Sequence, residues 1–99
     1  MSVKEQMQHV EGTKVGDIML YALSTCAWCK KTKKLLNKLK ADYHYVDVDL
    51  LAAADKEEAV EEIRKWNPEC SFPTLVIDNK SCIVGFDGEK IKGLVKHAS

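Results

Sequence analysis

The sequence predicts an α/β fold: a mixed four-stranded sheet with helices on both faces. Three observations carry this. Short apolar runs of strand length alternate with segments whose apolar residues recur every three or four positions. Their order is strand, helix, strand, helix, strand, strand, helix. The first strand–helix–strand unit requires a crossover and parallel strands, whereas the tight link between the last two strands makes an antiparallel hairpin. The chain of 99 residues suffices for one core and is too short for two.

Residues 1–16 are polar, with Gly12 and Gly16 as punctuation, and read as an N-terminal extension with room for a short strand; the domain proper spans residues 17–99. Ile18 to Leu23 is an apolar run of buried-strand length, broken by Ser24-Thr25-Cys26. A helix follows, because Trp28, Thr32, Leu35, Leu36 and Leu39 fall on one face and lysines on the other. Tyr43 to Asp49 alternates as a second strand, with Val46 and Val48 facing the core. Asp55 and Glu58 have the spacing of a capping box for a second helix, whose stripe is Ala59, Val60, Ile63 and Trp66; Asn67-Pro68 ends it. Thr74 to Ile77 and Ser81 to Val84 are the hairpin strands, joined through Asn79, which tolerates a left-handed backbone. The last helix starts near Asp87 and buries Ile91, Leu94, Val95 and Ala98.

Fifteen Lys and Arg balance fifteen Asp and Glu. A chain without net charge has no global footprint for nucleic acid. The balance hides a local asymmetry: charges from Lys30 to Lys40 are all positive, and Asp42 to Glu69 is mostly acidic. That pattern suits transient docking. No apolar stretch has membrane-span length, and Met1 to Lys14 lacks the apolar core of a secretory signal. A cytoplasmic setting is therefore expected, and a monomer, since no apolar stripe is left over once the core is built. In a reducing compartment four cysteines point to catalysis or metal binding rather than to a disulfide framework.

Cys26-Ala27-Trp28-Cys29 stands where the first strand ends and the first helix begins. A helix N-terminus offers unpaired N–H groups and a partial positive charge, which favour a thiolate. Cys26, at the cap, receives that benefit; Cys29, one turn inside, receives less. Cys26 is thus the expected nucleophile and Cys29 the resolving thiol, with Lys30 and Lys31 tuning the thiol and steering acidic partners. A zinc half-site is the rival reading. Zinc wants four ligands, however, and Cys70, Cys82, His9, His44 and His97 lack matching spacing. Phe72-Pro73 precedes the third strand and reads either as a connecting loop or as a cis proline facing the cysteines.

With the strand-to-helix Cys-x-x-Cys, Phe72-Pro73-Thr74 and Gly85-Phe86-Asp87 in this order, residues 17–97 resemble glutaredoxins, which share the thioredoxin fold. The resemblance implies a cis Pro73, a nucleophilic Cys26 and a substrate groove of Trp28, Phe72, Pro73, Gly85 and Asp87. It implies a dithiol oxidoreductase acting on disulfide-bearing proteins, with no bound cofactor and no resident metal. Leu23 stands where glutathione-using members usually carry a lysine, and Val84-Gly85 where they tend to have two glycines. Gly85-Phe86 followed by Lys90-Ile91 is similar to redoxins that serve ribonucleotide reductase. The implied electron source is therefore a thioredoxin-reductase-type or ferredoxin-linked reductase, with glutathione as the other possible reductant. Some glutaredoxins instead carry an iron–sulfur cluster through the first cysteine, which makes cluster binding by Cys26 the alternative.

Several residues carry a plainer reading. Trp28 is expected to be partly exposed for docking, and Trp66 to be core. Cys70 reads as an ordinary free cysteine, with a third redox thiol as the less favoured reading, and Cys82 as inert and buried. The histidines form no pattern, and no role is assigned to them.

Overall fold

The computed structural model describes residues 6–14 and 16–96, with side chains through Leu94. Five strands form one sheet: β1 (Gln8–Val10), β2 (Ile18–Ala22), β3 (Tyr43–Asp47), β4 (Thr74–Ile77) and β5 (Ser81–Val84). Their spatial order is β1-β3-β2-β4-β5. The helices are α1 (Ala27–Lys38), α2 (Ala53–Trp66) and α3 (Gly88–Lys96). The α/β class and mixed sheet stand as the sequence predicts. β2 and β3 are parallel across α1, and β4 is antiparallel to both β2 and β5.

Burial of β2 organises the layers. All five of its residues are buried, because successive side chains leave opposite faces and both faces are covered. Ile18, Leu20 and Ala22 join Cys29 and Leu36 of α1 and Ile91 of α3 in one cluster. Met19 and Tyr21 join Val46, Val48 and Val76 under Ala59 and Ile63 of α2. The result is a sandwich with α1 and α3 on one face and α2 on the other.

Four details differ from the sequence reading. The sheet has five strands rather than four, because Gln8–Val10, within the stretch read as an extension, pairs antiparallel with Tyr43–Tyr45. Only its Val10 packs on the core, so the strand carries almost no apolar signal. The second strand stops at Asp47, and Val48–Leu50 forms a 3₁₀ turn whose Val48 is still buried. Helix α2 starts three residues early, after Ala52 rather than Asp55, with no side-chain cap; the Asp55–Glu58 spacing therefore falls inside its first turns. Cys82 is half-buried rather than buried, and its thiol donates to the Trp66 carbonyl at 3.5 Å. In the hairpin, Asp78 and Asn79 both have positive φ, 53° and 54°, and Lys80 N–H bonds the Ile77 carbonyl at 3.0 Å. A right-twisted hairpin favours a turn of that handedness. Val95 and Ala98, read from sequence as part of α3's buried stripe, lie outside the described side chains.

Strand register gathers three segments at one end of the sheet. Tyr21 pairs with Thr74, and Thr74 with Val84. The chain leaving β2 toward Cys26, the chain entering β4 through Phe72-Pro73 and the chain leaving β5 through Gly85 therefore meet along one edge.

Candidate active site

Cys26 is the N-cap of α1, in extended conformation at φ −86° and ψ 118°. Its Sγ accepts a hydrogen bond from the Cys29 backbone N–H at 3.2 Å, and its carbonyl accepts the first helical bond from Lys30 at 3.1 Å. A sulfur in this position takes the place of the Ser or Asp oxygen at an ordinary cap, and a thiolate would be a stronger acceptor than a thiol. The Ser24-Thr25 turn that delivers Cys26 is held from below by Asp49. One carboxylate oxygen accepts the Ser24 N–H at 2.8 Å and the other accepts its hydroxyl at 2.5 Å. Those bonds, the hydroxyl first, hold the Asp49 carboxyl below the usual range.

Cys29 has no exposed surface. Burial, followed by the hydrogen bond with Cys26, pushes its thiol from 9.0 up to about 12. The two thiols thus sit in unlike environments three residues apart: Cys26 is partly exposed and hydrogen-bonded to a helix N–H, and Cys29 is sealed in the core.

Around the pair, Trp28 is 55% exposed, and its ring stacks on Phe86 with centroids 5.9 Å apart. The Lys31 ammonium lies 4.5 Å from the Trp28 ring centroid, so this lysine is engaged with the aromatic surface. Lys30 is exposed beside Cys26. The Phe72–Pro73 bond is cis and Pro73 is buried; the Pro73 carbonyl accepts the Gly85 N–H at 2.8 Å. Gly85 has φ +77°, and a Cβ there would meet nothing within 4 Å. Backbone handedness rather than crowding accounts for glycine at this position. Asp87 caps α3, its Oδ1 accepting the Lys90 N–H at 3.1 Å.

Three contributors escaped the sequence reading. Phe86 stands in the sequence only as the middle of Gly85-Phe86-Asp87, yet it stacks on Trp28 and forms half of the exposed aromatic surface. Asp49 was read as the end of a strand. Asn67, read only as a helix stop, is 5% exposed and donates to the Ser71 Oγ at 2.8 Å and to the Thr74 Oγ1 at 3.3 Å. The Thr74 hydroxyl in turn donates to the Ser71 carbonyl at 2.7 Å. This network fixes the loop that carries Phe72 and Pro73. An N-P pair after a helix signals a loop, but nothing in the sequence marks the asparagine as its internal brace.

Lys33, a second cation on α1 near this end of the sheet, is already engaged. It pairs with Asp47 at 2.9 Å and lies 4.1 Å over the Tyr45 ring. Cys70, at φ +51°, packs on the α2-side cluster and is reduced, as are Cys26, Cys29 and Cys82.

The arrangement can perform thiol–disulfide exchange: a capped, accessible sulfur, a shielded second sulfur one turn away, and an exposed aromatic surface beside them. Comparison with known proteins agrees. Residues 18–82 match the family model described as Glutaredoxin. The glutaredoxin of Methanosarcina mazei Go1 superposes with a TM-score of 0.85 at 49% identity, covering 90% of this chain and 86% of that one. The methanoredoxin of Methanosarcina acetivorans gives 0.83 at 45% identity, covering 85% and 88%. A glutaredoxin-like 8.6 kDa protein encoded in a rubredoxin operon of Clostridium pasteurianum is 37% identical over 79 residues, 80% of this chain and 97% of that protein. No helix among the described residues is long and apolar enough to cross a membrane. The capped Cys26, the shielded Cys29 and the family match over residues 18–82 agree: the chain belongs to the glutaredoxin family and is a thiol–disulfide oxidoreductase.

Proposed function

We propose that the protein is a dithiol redoxin that reduces protein disulfides and is recharged by a dedicated reductase rather than chiefly by glutathione. The observation that carries the dithiol reading is the asymmetry of the pair: Cys26 accepts the Cys29 N–H at 3.2 Å while Cys29 is fully buried. The Cys26 thiolate attacks one sulfur of the substrate disulfide. A Cys26–substrate bond forms as the substrate bond breaks, and the first substrate thiolate leaves. Cys29 then loses its proton and attacks the Cys26 sulfur, expelling the second substrate thiolate. Two electrons have passed to the substrate, and the protein holds a Cys26–Cys29 disulfide.

The geometry orders these steps. Burial and then the hydrogen bond with Cys26 hold the Cys29 thiol protonated. Once Cys26 is bonded to substrate it carries no charge, so its share of that effect disappears. Cys29 becomes easier to ionise only when there is a mixed disulfide to resolve. Trp28 and Phe86 provide the apolar surface on which a protein substrate seats, with Phe72, Pro73, Gly85 and Asp87 along the adjoining edge.

Two observations support a dedicated reductase. Leu23 packs against the α2-side cluster at the position where a glutathione-binding lysine would stand. Lys33, the nearby alternative, is committed to Asp47 and Tyr45. A single experiment tests the reading. Cys26→Ser abolishes reduction of a protein disulfide, and Cys29→Ser accumulates a Cys26–substrate mixed disulfide on a non-reducing gel. Equal residual activity in the two variants refutes the dithiol mechanism. Efficient turnover with glutathione, glutathione reductase and NADPH alone refutes the choice of reductant.

A further inference from the structure

Away from the cysteines, at the opposite edge of the sheet, two imidazoles and a carboxylate come together. His9 of β1 stands directly across from His44 of β3. Their rings stack with centroids 4.5 Å apart and an interplanar angle of 15°. Asp42, two residues before His44, turns both oxygens toward His9 Nε2, at 2.9 and 3.0 Å. One ligand atom from each of the three lies within 4.8 Å of the others. We propose that His9, Asp42 and His44 form a binding site for a divalent transition-metal ion of the zinc type, separate from the redox thiols.

The donor set fits that ion. Two neutral imidazole nitrogens and one carboxylate are a common protein complement for zinc, which leaves further positions to water. Ligand atoms about 2.0–2.1 Å from one tetrahedral ion lie about 3.3 Å apart. His9 Nε2 and the Asp42 oxygens are already 2.9 and 3.0 Å apart, the His44 donor lies within 4.8 Å of both, and a rotation of the His44 ring toward the pair would complete the approach. Cross-strand register holds the histidine pair, because residues directly opposite in an antiparallel ladder keep their Cβ atoms about 4.5–5.5 Å apart.

The backbone positions the carboxylate independently of the histidines. Gly12 N–H donates to Asp42 Oδ2 at 3.2 Å. Asp42 N–H donates to the Thr13 carbonyl at 3.0 Å, and Thr13 N–H to the Lys40 carbonyl at 2.7 Å. The chain crosses so closely here that a Cβ on Gly12 would come within 2.4 Å of the Lys40 carbonyl oxygen. A hydrogen-bonded partner orienting a ligating carboxylate is the usual second layer of a metal site. The His9 side chain is itself 43% exposed, which leaves the remaining positions open to water.

Bound metal would tie β1 and the Gly12–Thr13 segment to β3, joining the N-terminal strand to the sheet by coordination. The cysteines also attract zinc, so the test must distinguish imidazole from thiol ligation. Zinc is titrated into the reduced full-length protein while the imidazole ¹⁵N resonances are followed by NMR. The His9 and His44 rings are expected to shift together and saturate at one ion per chain, with His97 as the internal comparison. His44→Gln, checked for folding by circular dichroism, is expected to weaken zinc binding at His9 by at least about tenfold. Ring resonances that stay unmoved while zinc occupies the thiols overturn the proposal, as does a His9 response unchanged in H44Q.

Discussion

Selective alkylation of the reduced, native protein gives a direct readout of the difference between the two active-site sulfurs. Treatment with iodoacetamide at pH 7 is expected to label Cys26 and spare Cys29. The magnitude follows from burial. Cys29 is pushed from 9.0 to about 12, so at pH 7 only about one molecule in 10⁵ carries its thiolate, about a thousandfold fewer than for an ordinary cysteine. The reagent must also reach a side chain with no exposed surface, which lowers the rate further. Cys26, at the helix cap, is partly exposed and open to the reagent. The assay is a time course of labelling, acid quench and peptide mapping by mass spectrometry, repeated in denaturant to show that both sulfurs react once unfolded. Labelling of Cys29 at a rate within tenfold of Cys26 in the native protein would refute the argued asymmetry, and with it the assignment of attacking and resolving roles.

Other consequences are as concrete. Asn67→Ala strips the buried partners of Ser71 and Thr74 and should cost about 1–3 kcal/mol in urea denaturation; an unchanged midpoint would show that water replaces the amide. Ile63→Ala removes the fully buried anchor of α2 and should cost about 2–5 kcal/mol by the same measurement. Trp28→Ala is expected to leave stability within about 1 kcal/mol, since the ring is half-exposed, while raising KM for a protein disulfide roughly fivefold to tenfold; a fall in kcat with KM unchanged would instead place Trp28 in the chemical step.

The pH dependence has a definite sign. Burial foremost raises Tyr21 and Tyr43 to about 12, as it does Cys29. The folded chain thus keeps protons that the unfolded chain releases from about pH 9 upward. Their contribution to stability is whole below that pH and is lost as pH rises toward 12. Asp49 acts in the opposite direction. Its lowered carboxyl, held first by the Ser24 hydroxyl, stabilises the fold above the unfolded carboxylate value, and the effect disappears as pH falls through the folded one. Asp49→Asn should flatten the acid limb of a melting-temperature profile.

How much of this was legible beforehand depends on where each signal resides. The order of elements followed from apolar periodicity, which survives because β2 and β4 bury every residue and α1 buries Cys29, Thr32 and Leu36 along one face. The cysteine pair was legible because its chemistry depends on a local feature, a helix N-terminus three residues before Cys29. What escaped depends on contacts between distant segments. β1 has one core side chain, Val10, and is a strand because β3 offers it an edge. Asp49 and Ser24 are 25 residues apart, and His9 and Asp42 are 33 apart. A polar residue carries no periodicity that announces its partner, so Asn67, Asp49 and the histidines had no distinguishing sequence signature. Helix α2 misled for a related reason: Asp55 and Glu58 match a capping spacing by composition alone, in a segment rich in acids.

The measurement closest to the central claim is equilibration of the full-length protein in a series of glutathione redox buffers, followed by acid quench and disulfide mapping by mass spectrometry. The account predicts one reversible disulfide, Cys26–Cys29, with a midpoint between about −200 and −270 mV, and Cys70 and Cys82 reduced throughout. A pair that never closes, or a disulfide that forms preferentially between Cys26 and Cys70, would contradict it.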